Sequence, residues 1–184
     1  LLSSHSPANL VLTAFASERQ ATGEWAWLKW LPHVDSAYSP IPVPHLVSDE
    51  RMGNLLLTGL ESVIAQRQEA SKARAVRSRV EGSAHDAKER LTPADKLAMN
   101  PAIVVLVLTD SLVDMTRMVG IAEDGPDVGV HVIWQAPHLT LVPAACRTTA
   151  EVHERTWRAH LVRQGEVIEL SAIEGIEQPL AEAF

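Results

Sequence analysis

The stretch AIVVLVLTD at 102–110 ends on a carboxylate, the placement with the clearest chemistry in this sequence. In open α/β sheets, ligands and metal ions gather outside the carboxyl ends of parallel strands. In nucleotide-hydrolysing proteins of that kind, a strand-end aspartate holds Mg²⁺, often beside a glutamate that polarises the attacking water. Asp110 holds this position, and Ser111 stands where the glutamate would be. The same aspartate could cap a helix beginning near Leu112 by accepting its free N–H groups. Without the glutamate, the cap is the favoured role.

A triphosphate also needs a cradle of backbone amides and a lysine, and no G-x-x-x-x-G-K-[ST] occurs in the chain. In folds of this plan the phosphate loop follows a strand lying before the first strand seen here. The eight histidines do not fall at metal-ligand spacings, so no metal site is expected. Cys146 stands alone beside Arg147 with no nucleophile pattern around it, and reads as a buried apolar thiol in a reducing compartment.

The aromatic residues carry a different signal. GEWAWLKWLPHV at 23–34 holds Trp25, Trp27 and Trp30, three of only five tryptophans. Positions two apart on a regular helix face away from each other, so these indoles cannot share one helical side. At least one should point away from its own core. Indoles are enriched at interface hot spots, which fits a docking surface. A local mini-core beneath the proline-rich loop fits as well.

The elements that must position these residues follow from patterning. NLVLTAF at 9–15 reads as a strand of a covered sheet, and VPHLVSD at 43–49 as a short edge strand inside a loop rich in proline. Ser48 or Asp49 can cap a helix whose apolar stripe is Leu56, Leu60, Val63 and Ile64, joined by the stem of Arg67. The segment 66–100 is charged and reads as a solvated helical arm or loop, because Glu69, Glu81, Asp86 and Glu89 interrupt its positive charge. The run from Pro101 is a central strand, 112–125 an amphipathic helix ended by Gly125 and Pro126, and GVHVIW at 129–134 a further strand. Strand, helix and strand at this spacing form a parallel crossover. Another strand is expected within 145–152, and the alternating runs flanking Gln164 and Gly165 form an antiparallel hairpin.

With 184 residues, 46% hydrophobic and 21% charged, the chain is expected to fold as one α/β domain spanning 1–184. A net charge of −7 counts against nucleic acid as a partner. No apolar run reaches the length of a membrane span. LLSSHSPANL has neither an initiator methionine nor a signal-peptide pattern, so the chain reads as a fragment of a longer protein.

The order SHSPANLVLTAF, GEWAWLKWLPH, PAIVVLVLTD, GVHVIW and LVPAACRT resembles the membrane-proximal domain of the FtsK/SpoIIIE-type ATPase of bacterial type VII secretion systems, the EccC component. The resemblance runs over nearly the whole chain and is weakest at 66–100. It implies a RecA-like, P-loop-NTPase-like plan: a mainly parallel sheet with helices on both faces, a C-terminal antiparallel hairpin and no visible Walker A motif. It places Asp110 at the Walker B aspartate, and Gln135 and Pro137 of WQAP at the family's TQRP segment. Asp110 and Gln135 are therefore the weak catalytic candidates, Asp110 the possible Mg²⁺ contact, and Trp25, Trp27 and Trp30 the interaction residues.

The resemblance further implies a parent protein that uses ATP and Mg²⁺ and sits at the cytoplasmic face of the cell membrane, oligomeric in its full complex. Neighbouring ATPase domains of the same chain, and membrane components with cytosolic ubiquitin-like domains, would be its partners. The expected role of this domain is coupling without hydrolysis. The alternatives are an active ATPase whose Walker A motif lies upstream of Leu1, and part of a DNA translocase.

Overall fold

The structure is a computed structural model that describes residues 2–80, 99–153 and 156–170, with backbone alone for 77–80. Among the described residues, seven strands form two sheets. The first sheet is wholly parallel, with β1 (Leu10–Phe15), β2 (Leu46–Val47), β3 (Ala102–Val107) and β4 (Val130–Trp134) in the order β2-β1-β3-β4. The second is antiparallel, with β5 (Thr148–Val152), β6 (Trp157–Leu161) and β7 (Glu166–Leu170) in chain order. This is the expected α/β plan.

Strand β3 lies in mid-sheet, paired in parallel with β1 and β4, as its unbroken apolar run requires. One face of the sheet is covered by helices α2 (Glu50–Val80) and α3 (Met115–Asp124). There Phe15, Ile103, Val105 and Val107 meet Leu56, Leu60, Val63, Ile64, Met118 and Ile121. The opposite face packs Leu10, Leu12, Ala14 and Val104 against Leu28, Val34, Trp25 and Trp27, which follow the short helix α1 (Glu18–Thr22).

Asp49 starts α2: its carboxylate accepts from the Met52 amide at 2.9 Å. The helix continues past its apolar stripe to Val80, so the described part of the charged segment extends the same helix. The rest of that segment, 81–98, lies outside the described residues. At Gly59 a Cβ would come within 2.7 Å of Ile41 Cγ2, and this close approach lets the proline-rich loop press Ile41 into the α2 face.

Helix α3 differs from expectation at its start. It begins at Met115 and not near Leu112, because the Asp114 carboxylate accepts from the amides of Thr116 and Arg117 at 3.0 and 3.2 Å. Asp114, not Asp110, is the cap. The expected terminal hairpin forms, with Gly165 at φ 66°, and β5 adds a third strand to it.

Candidate functional site

The carboxyl end of the parallel sheet gathers the residues that the sequence marks for chemistry. After β3 the chain turns at once, and Asp110 occupies the left-handed region at φ 63°, exposed to solvent. Few non-glycine residues take that conformation, aspartate among the more tolerant. The Ser111 amide bonds back to the Leu108 carbonyl at 3.3 Å, which closes the turn.

Gln135 stands at the end of the adjacent strand. Its amide donates to the Val107 carbonyl at 2.9 Å, and its carbonyl accepts from the Thr109 hydroxyl at 3.2 Å. Asp110 and Gln135 are thus brought to neighbouring strand ends, with Thr109 locking the backbone between them. Among the described residues no three His, Cys, Asp or Glu side chains converge as a metal-ligand set. A single carboxylate such as Asp110 would hold Mg²⁺ only together with nucleotide phosphates and water.

The third strand end carries a feature that sequence reasoning missed. Ser17 and Gln20 form a capping box: the Ser17 amide donates to Gln20 Oε1 at 3.0 Å, and the Gln20 amide donates to Ser17 Oγ at 3.4 Å. The S-x-x-Q spacing directly after NLVLTAF was the available signal. With these side chains serving its own first turn, α1 sends the chain across the sheet toward the tryptophans.

Trp25 and Trp27 stack on each other, with centroids 6.0 Å apart and planes inclined by 27°. The rule that separates positions two apart applies within a regular helix, but Trp25 stands outside the 3-10 turn Ala26–Trp30, with φ −106° and ψ 9°, and the two rings meet. Both pack against the sheet core. Trp30 does the opposite: it is 74% exposed, with the Lys29 ammonium 5.1 Å from its ring centroid. The three tryptophans therefore divide into a mini-core pair and one outward indole.

Cys146 is partly buried and desolvation pushes its thiol pKa up, which suits a structural thiol and not a nucleophile. His160 Nε2 and the Glu151 carboxylate lie 3.0 Å apart across the β5–β6 ladder. A groove of about 740 Å³ is lined by residues of both β4 and β5, among them Trp134 and Ala150.

Comparison with known proteins adds a fold relationship. No protein-family model matches the chain, and no curated protein does. Among solved structures, EssC (ATPases 2 and 3) from Geobacillus thermodenitrificans is similar with a TM-score of 0.62 and 14% sequence identity. The match covers 98% of this chain and 37% of that one. The relationship is distant and lies in the fold. The chain spans little more than a third of the length of the EssC structure it matches. Among the described residues no helix is long and apolar enough to cross a membrane.

Proposed function

We propose that this chain is a coupling domain of an FtsK/SpoIIIE-type ATPase that powers type VII protein secretion, and that it does not itself hydrolyse nucleotide. One observation carries the reading: the domain keeps a motor-type parallel sheet, similar to an EssC ATPase over 98% of its length, while its strand-end aspartate is followed by Ser111 instead of glutamate. The exposed left-handed turn at Asp110 supports it. ATP and Mg²⁺ then belong to other domains of the parent protein. The domain's own task is mechanical, linking those neighbours to a membrane complex at the cytoplasmic face through surfaces such as the one around Trp30.

The test is steady-state ATP turnover by the purified chain with Mg²⁺. The expected rate is indistinguishable from buffer, and unchanged in Asp110→Ala. Mg²⁺-dependent turnover that disappears in Asp110→Ala would overturn the non-hydrolysing role.

A further inference from the structure

We draw no further inference here: the strongest candidate, the apolar face of the antiparallel sheet on which Val152, Trp157 and Leu170 form one cross-strand row and Ala150, Ala159 and Ile168 the next, carries none because nothing in the structure shows what covers it.

Discussion

Arg117 on α3 grips Glu61 on α2 in a fork, Nε to Oε1 at 2.8 Å and Nη2 to Oε2 at 2.7 Å. The same guanidinium donates to Asn54 Oδ1 and Thr58 Oγ1 at 3.2 and 3.0 Å, so one side chain reads three positions along α2. Two parallel charge-assisted bonds fix geometry better than a single contact. Their worth is limited by water, since 29% of the Arg117 side chain and 42% of that of Glu61 are exposed.

Replacing Arg117 with Ala is therefore expected to cost about 1 kcal/mol, or roughly 2–4 °C in Tm for a domain of this size. The effect should depend on pH. Arg117 holds the Glu61 carboxyl below its ordinary value of 4.5, so the folded chain takes up that proton less readily than the unfolded one. The contribution is full above the ordinary value and fades as pH falls through the lowered one. Urea titrations of the wild type and Glu61→Gln should differ at pH 7, with the gap narrowing below about pH 4.

Arg67 makes a second tie of a different kind. Its guanidinium donates to the carbonyls of Val128 at 2.9 Å and Pro101 at 2.7 Å, joining α2 to the segments that enter β3 and β4. Burial lowers its pKa. Arg67→Met keeps much of the stem but leaves two carbonyls without these donors, and about 2–3 kcal/mol of stability should go with them. A lower denaturant midpoint at unchanged m-value is the expected signature.

These ties mark where the sequence could be read and where it could not. The mid-sheet position of β3 was legible because a run of six apolar residues is stable only when covered on both faces. The apolar face of α2 was legible from its spacing, yet the head of Arg67 was not, because its acceptors are carbonyls that any residue carries. The Asp114 cap was not legible because the helical pattern was read from Leu112, which puts Asp114 inside the helix, and only backbone geometry shows that the helix starts at Met115. The groove lined by β4 and β5 was invisible, since which strands lie near each other is a property of sheet order and not of any residue type.

Asp110 and Asp114 give a direct comparison. Asp114→Ala removes the acceptor for two helix amides and should cost about 1 kcal/mol. Asp110→Gly, at φ 63°, should relieve strain and raise stability by about 0.5–1 kcal/mol. Thermal unfolding of the two variants checks both signs. Equal destabilisation by Asp110→Gly would mean that the Asp110 carboxylate has structural partners at the strand end.

Trp27 and Trp30 should separate stability from assembly. Trp27→Ala removes a half-buried indole from the sheet core and breaks its stack on Trp25, at a cost of about 2–4 kcal/mol. Trp30→Ala removes a ring that is 74% exposed and should leave unfolding within about 0.5 kcal/mol of wild type. If the proposed coupling role holds and Trp30 anchors a neighbouring domain, its substitution should lower co-purification of that domain at unchanged Tm. Trp27→Ala supplies the control: a loss of assembly that tracks its lower Tm reports unfolding, whereas a loss confined to Trp30→Ala reports a contact made by that one outward indole.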